Sequence, residues 1–233
     1  MMTMRPPANL PADPQPPDPQ TRARWSMVAD QIAARGVTDP RVLAAMREVP
    51  RHAFVPDAMR DSAYADSPLP IGYDQTISQP YIVALMTELA RPAPSDTALE
   101  VGTGSGYQAA VLSRLVARVY SIERLAPLAE SAAATLQRLG CHNVQVRNGD
   151  GYQGWPDQAP FDLILVTAAP EAVPPALLAQ LKPGGRLVIP VGPVGGVQDL
   201  RVVEKDSQGR ITTKSVIPVR FVPLVKKRDG DRL

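Results

Sequence analysis

Residues 97–107, TALEVGTGSGY, constrain the fold more than any other part of this chain. An apolar run of strand length leads straight into glycines at alternate positions, Gly102, Gly104 and Gly106, and then into the helical pattern YQAAVLSRLVA. A strand that turns sharply into a helix, with its backbone close to a ligand, excludes side chains from the turn and calls for positive φ at some positions. Alone, such a turn is a weak signal of function. Its weight comes from position, at the first strand–helix turn of an alternating pattern, where strand order reverses and a ligand crevice opens.

The alternation runs on from there. Residues 118–122 (RVYSI) read as a strand, 126–139 as a helix stopped by Gly140, NVQVR as a strand, and FDLILVT (161–167) as an apolar strand covered on both faces. Pro174 and Pro175 open a helix through Leu181, PGG turns the chain into RLVIPV, and strands at about 198–204 and 216–224 close it across DSQGR. This order predicts an α/β fold, a Rossmann-like, mostly parallel twisted sheet with helices on both faces.

An N-terminal helical segment precedes it. Residues 22–35 put Trp25, Val28, Ala29 and Ile32 on one helical face ending at Gly36, and Asp39–Pro40 caps a second helix, RVLAAMREV. PRHAFVP, between two prolines, reads as extended or turning, and 57–78 as a loop. Ile82, Leu85, Met86 and Leu89 mark a helix over 80–91. The expected division is a Pro-rich disordered extension (1–20, seven prolines), a helical, substrate-contacting segment (21–95), a cofactor-binding core (96–225) and a basic tail (226–233).

Composition narrows the classes. With 25 basic and 23 acidic residues the net charge is +2, which gives no electrostatic case for nucleic acid. The single cysteine, Cys141, excludes an internal disulfide and fits a reducing compartment. No stretch has the roughly 18 apolar residues of a membrane helix. The expectation is a cytoplasmic protein, a monomer, with no membrane or nucleic-acid partner. His52 and His142 are the only histidines, so no metal site is expected. Neither Ser78 nor Ser105 lies in the G-x-S-x-G frame of a serine hydrolase.

The strand ends carry the chemistry. Glu123, about twenty residues beyond the glycines, suits the two hydroxyls of a ribose. Glu100 stands before the glycine loop, able to orient it or a ligand's amino group, and Asp150 and Gly151 follow the third strand, where an Asp can hold an adenine amino group. The ligand is a dinucleotide or S-adenosylmethionine. The third glycine comes one residue early for G-x-G-x-x-G, and a carboxylate beside the loop repels pyrophosphate but suits a sulfonium and an ammonium, which favours S-adenosylmethionine.

At this point LEVGTGSGYQAAVL, VYSIER, GDGYQGWP, FDLILVTAA and LKPGGRLVIPVG resemble the successive motifs of the protein-L-isoaspartate O-methyltransferase family. Upstream, VLAAMREVPRHAFVP, AYADSPLPIG and QTISQPYIVALM resemble its N-terminal segment, so the likeness runs from about 38 to 225. It implies transfer of a methyl group from S-adenosylmethionine to the α-carboxyl of L-isoaspartyl residues in damaged proteins, whose ester then collapses to a succinimide and partly reopens as aspartate.

The cofactor set becomes Glu100, Gly102, Gly104, Gly106, Glu123, Arg124, Asp150 and Gly151. The resemblance sets Gln75, Thr76, Ile77 and Ser78 between cofactor and substrate, with Ser78 as the active-site residue, and brings Val219, Arg220 and Phe221 near the substrate backbone. The resemblance sets a Thr in several relatives where this chain has Val225, a departure that bears on any hydroxyl contact to the cofactor there. The residues agree about Ser78: a helix starting at Gln79–Pro80 offers N–H groups to an anion, and Ser78 adds a hydroxyl. The bland alternative is a helix cap. The rival functions are a small-molecule methyltransferase and a non-catalytic S-adenosylmethionine sensor.

Overall fold

The computed structural model describes residues 18–226. Most of the 1–20 extension and of the basic tail lies outside them. The expected extension ends earlier than residue 20, because Asp18 already caps a helix: its carboxylate accepts from the Thr21 amide at 3.0 Å and Pro19 is the first helical residue.

The first helical run is α1 (Pro19–Ser26), a π turn (Met27–Ile32) and a 3-10 turn (Ala33–Arg35), stopped at Gly36 with φ +94°. The expected face is corrected. Met27, Val28 and Ile32 are buried, whereas Trp25 is 48% exposed and Ala29 faces out. A π turn takes more residues per turn than an α-helix, so the apolar stripe shifts phase between Trp25 and Met27. Helix α2 (Pro40–Glu48) begins as expected, with the Asp39 carboxylate accepting from the Arg41 amide at 2.8 Å, a cap worth about 1 kcal/mol.

Two connecting segments differ from the sequence reading. PRHAFVP contains a 3-10 turn, Arg51–Phe54. The stretch read as a loop holds a second 3-10 turn (Asp57–Ser62) and a hairpin, β1 (Leu69–Gly72) with β2 (Gln75–Ile77), paired Leu69 to Ile77 and Gly72 to Gln75. Its turn residues Tyr73 and Asp74 both have positive φ, +54° and +56°, the sense that matches the right-handed twist of a hairpin. Helix α3 (Pro80–Ala90) follows directly.

The sheet has seven strands in the order β5-β4-β3-β6-β7-β8-β9. They are β3 (Thr97–Val101), β4 (Arg118–Glu123), β5 (Val144–Asn148), β6 (Phe161–Val166), β7 (Leu181–Val191), β8 (Gln198–Lys205) and β9 (Ile211–Val219). The first five run parallel, and β8 and β9 join by antiparallel pairing. Helices α4 (Tyr107–Ser113), α5 (Ala126–Arg138) and α6 (Pro175–Gln180) connect the parallel strands. Each central strand is buried on both sides. Ala98, Leu163, Leu165 and Val188 pack with α2, α3 and α4, while Leu99, Ile164, Val166 and Leu187 pack with Leu177 of α6 and Trp155. This double burial is why FDLILVT is a continuous apolar run without alternation.

Three strand and helix limits are corrected. α4 ends at Ser113, before the expected residue 117. PGG does not precede β7 but lies inside it, at a register shift opposite Phe161–Leu163, where a Cβ on Gly185 would come within 2.7 Å of the Asp162 carbonyl oxygen. The last strand is 211–219, not 216–224, because Ala169 beyond β6 captures the next residues: its amide donates to the Val222 oxygen and its own oxygen accepts from the Leu224 amide, both at 2.8 Å. Residues 220–224 therefore leave the sheet edge and cross above the carboxyl ends of β3 and β6.

Candidate active site

Strand order reverses at β3: β4 lies on one side of it and β6 on the other. The crevice at their carboxyl ends holds a first cavity. Its floor is the turn after β3. Gly102, Gly104 and Gly106 have φ of +96°, +53° and +89°. A Cβ on Gly102 would stand 2.5 Å from Thr167 Oγ1, and one on Gly106 would press on Ala132 and Leu136 of α5 at 3.3 Å. Gly102 and Gly104 line the cavity; Gly106 does not, and instead lets α4 start close against α5.

Glu123, at the end of β4, lines the same cavity and is already engaged: Oε2 accepts from the Gly104 amide at 2.9 Å and Oε1 from the Leu125 amide at 3.0 Å. Each carboxylate oxygen retains a second lone pair for a ligand hydroxyl. Arg124 and Gly151 are also in the wall, while Asp150 sits behind it, accepting from the Tyr152 amide at 2.9 Å. Glu100 is fully buried beneath the loop and does not line the cavity. Its Oε2 accepts from the Ser121 hydroxyl, which pairs with that of Thr103, and its Oε1 has no partner within hydrogen-bond geometry among the described residues. Burial pushes its pKa up to about 8, against the Ser121 hydrogen bond and with help from the Glu123 charge.

The second cavity opens on the other side of the 75–78 segment. Tyr81 and Ile82 of α3, Arg35, Val197 and the chain from Ile217 to Val222 line it, including Val219, Arg220 and Phe221. The Phe221 amide is fixed by the buried Gln198 side chain at 2.9 Å. Gln75 and Ile77 face the first cavity only, whereas Thr76, Ser78, Thr167 and Val222 belong to the walls of both. Ser78 thus stands at the junction. It is not a helix cap: Gln79 is the N-cap residue of α3, no side chain closes that end, and the Ser78 hydroxyl makes no hydrogen bond to another described residue.

Sequence reasoning missed Thr167, whose hydroxyl donates toward the Gly102 oxygen at 2.6 Å while lining both cavities. The available signal was a lone polar residue ending the apolar strand FDLILVT at the reversal of strand order. It also missed Leu224 and Gln108 in the first cavity. Val225 lines that cavity too, presenting an apolar side chain to it. Among the described residues, no group of three or more His, Cys, Asp or Glu is arranged to hold a metal ion.

A doubly wound sheet with a glycine turn, a carboxylate at the second strand end and a hairpin-plus-helix cover defines a Rossmann-like methyltransferase fold. Residues 23–229 match the family model of protein-L-isoaspartate(D-aspartate) O-methyltransferase. The chain is 58% identical over 231 residues to the protein-L-isoaspartate O-methyltransferase of Synechococcus sp., covering 95% of this chain and 94% of that one, and 57% identical over 209 residues to that of Opitutus terrae, covering 90% and 89%. A Plasmodium falciparum protein-L-isoaspartate O-methyltransferase, solved in complex with S-adenosyl-L-homocysteine, superposes with a TM-score of 0.76 at 25% identity, covering 87% of this chain and 98% of that one. The chain belongs to the protein-L-isoaspartate(D-aspartate) O-methyltransferase family.

Proposed function

We infer that this chain methylates the α-carboxylate of L-isoaspartyl residues in damaged proteins and peptides, with S-adenosylmethionine as methyl donor. The observation that carries the reading is the junction of the two cavities at Ser78 and Thr76. One cavity suits the donor, the other an extended polypeptide, and the reacting atoms meet between them.

The first cavity fits the donor on structural grounds. The backbone at Gly102 and Gly104 is open to close approach, Glu123 offers free lone pairs to a ribose, and Ile122, Leu125 and Leu224 offer apolar surface to a purine. Arg124 and Gly151 complete this wall; Gly106, Glu100 and Asp150 act from behind it, by packing and by holding the turns. Bound there, S-adenosylmethionine supplies an electrophilic methyl group on a sulfonium. The chain's own contribution is positional. Ser78 donates a hydrogen bond to the substrate carboxylate, with the N-terminal amides of α3 beside it. Gln75, Thr76 and Ile77 hold this threshold, while Val219, Arg220 and Phe221 guide the substrate backbone.

A carboxylate is already ionised near neutral pH, so no general base is required, and rate comes from alignment and exclusion of water. The product ester leaves the enzyme. Attack by the next backbone nitrogen expels methanol and forms the succinimide that reopens in part to normal aspartate.

We read the protein as a cytoplasmic monomer with polypeptide substrates and no nucleic-acid partner. The near-balanced charge and the single, buried cysteine support this. No helix among the described residues is long and apolar enough to cross a membrane. The test is transfer of label from S-adenosylmethionine to an isoaspartyl peptide, with the matching aspartyl peptide as control. Turnover on the first alone is expected. Equal labelling of both, or turnover only on small metabolites, would overturn the reading.

A further inference from the structure

Arg51 is fully buried, yet no described carboxylate pairs with its guanidinium. Instead the group donates to three backbone carbonyls: Nε to Ala63 at 2.7 Å, Nη1 to Ser78 at 2.8 Å and Nη2 to Ser67 at 3.3 Å. Its plane carbon lies 5.2 Å from the centre of the Tyr107 ring, and Tyr107 lines the donor cavity. Burial lowers its pKa to about 10, which leaves it charged at neutral pH.

An unpaired buried charge is an expensive way to satisfy three carbonyls, and a core side chain of similar volume would avoid the desolvation. What a guanidinium adds is a rigid planar fork, whose donors fix several acceptors at set angles. Here it ties the 3-10 turn, the approach to β1 and the exit of β2 to one plane, and that plane rests on the aromatic wall of the donor cavity. The bond to Ser78 falls on the residue that both cavities share. The Ser78 side chain makes no hydrogen bond to another described residue, and no cap holds it from the α3 side. The direction of its hydroxyl therefore depends on its backbone, which Arg51 anchors.

We propose that Arg51 is a positioning residue for methyl transfer: it never touches substrate or donor but sets the place of the Ser78 hydroxyl between them. The proposal rests on the assignment of Ser78 as a donor to the substrate carboxylate. Arg51→Lys keeps the charge but cannot reach three carbonyls as a fork, and Arg51→Gln keeps a planar donor without the charge. In either folded variant, methyl transfer to an isoaspartyl peptide is expected to fall about tenfold in kcat, since a small misplacement of reacting groups is costly, while the dissociation constant for S-adenosylmethionine stays within about threefold.

A purely structural role would not produce the next result. In a double-mutant cycle with Ser78→Ala, the Arg51→Lys loss should largely disappear, because there is no hydroxyl left to misplace. Losses that multiply would overturn the proposal, as would a folded variant with full turnover, or failure of both variants to fold, which would make Arg51 a core residue. Amide exchange over residues 75–82 supplies a readout that needs no substrate: faster exchange in Arg51→Lys is expected, and unchanged exchange overturns the proposal. If the unsubstituted protein fails to methylate the isoaspartyl peptide, the functional reading falls, and the exchange measurement still decides the role of Arg51.

Discussion

The Gly104 amide donates to Glu123 Oε2 at 2.9 Å, tying the turn after β3 to the carboxyl end of β4. Glu123 thus fixes the turn that lines the first cavity, its other oxygen accepts from the Leu125 amide, and in the proposed function it also offers the methyl donor a carboxylate. The two roles separate by substitution. Glu123→Gln retains an acceptor for one amide, whereas Glu123→Ala retains none. Both should weaken S-adenosylmethionine by about 1–3 kcal/mol, the scale of lost charge-assisted hydrogen bonds, with alanine at the upper end. The KM for isoaspartyl peptide should hardly move. Calorimetry with the folded variants decides, and unaltered donor affinity would remove Glu123 from the cavity wall's working groups.

Gly102 carries two separate constraints, a φ of +96° and the Thr167 hydroxyl 2.5 Å from where a Cβ would sit. Gly102→Ala should therefore destabilise by about 1–3 kcal/mol, from backbone strain and the clash together. Combining it with Thr167→Ala relieves the clash and leaves the strain, so the pair should be more stable than an additive sum of the two single losses. Thermal or urea unfolding reads this directly. Strict additivity would mean that the turn moves away from β6 to admit the methyl group.

Glu100 makes a prediction in pH. Its folded pKa is raised from the ordinary 4.5 to about 8, mainly by burial. Between those values the folded state holds a proton that the unfolded chain has lost, so this group's contribution is fully present below 4.5 and is lost as pH rises through about 8. Glu100→Gln fixes the neutral form. The melting temperature of the ligand-free variant should therefore gain on that of the parent as pH increases across this window. A constant difference at all pH values would show that Glu100 is ionised in the folded protein throughout.

The parts of this fold that were legible are those where local and tertiary demands agree. FDLILVT has to be a strand because it is buried on both faces, and three alternate glycines after β3 are needed because their φ values are positive. The hairpin from Leu69 to Ile77 was hidden for the opposite reason: its turn uses Tyr73 and Asp74 at positive φ instead of Asn-Gly, and Pro70 lies within its first strand. The end of β9 was misplaced because the backbone partner of residues 222–224 is Ala169, more than fifty positions away, and no periodicity encodes that choice. Glu123 and Gly151, at the end of β4 and after β5, followed from the topology as lining of the first cavity, whereas Glu100 and Asp150 stand outside its lining. Thr167 did not follow, since a threonine at a strand end is ordinary until the structure sets it across from Gly102.

Ser78 gives the most direct test of the site. The residue lies one position before the N-cap of α3, and its hydroxyl makes no hydrogen bond to another described residue, so Ser78→Ala should leave the helix and the fold as they are. The glycine turn and Glu123 are untouched, and affinity for S-adenosylmethionine should persist. Methyl transfer should fall about tenfold or more, because one hydrogen bond to a charged group is worth about 1.5–3 kcal/mol and alignment loosens without it. Raising the pH should not restore the rate, since no base has been removed and the substrate carboxylate is already ionised. Steady-state kinetics on isoaspartyl peptide, with aspartyl peptide as control, separate the outcomes. Full turnover in Ser78→Ala would leave the α3 amides as the only carboxylate donors at the junction. Loss of donor binding along with turnover would make Ser78 a structural element of the cavity wall and move the substrate contact away from it.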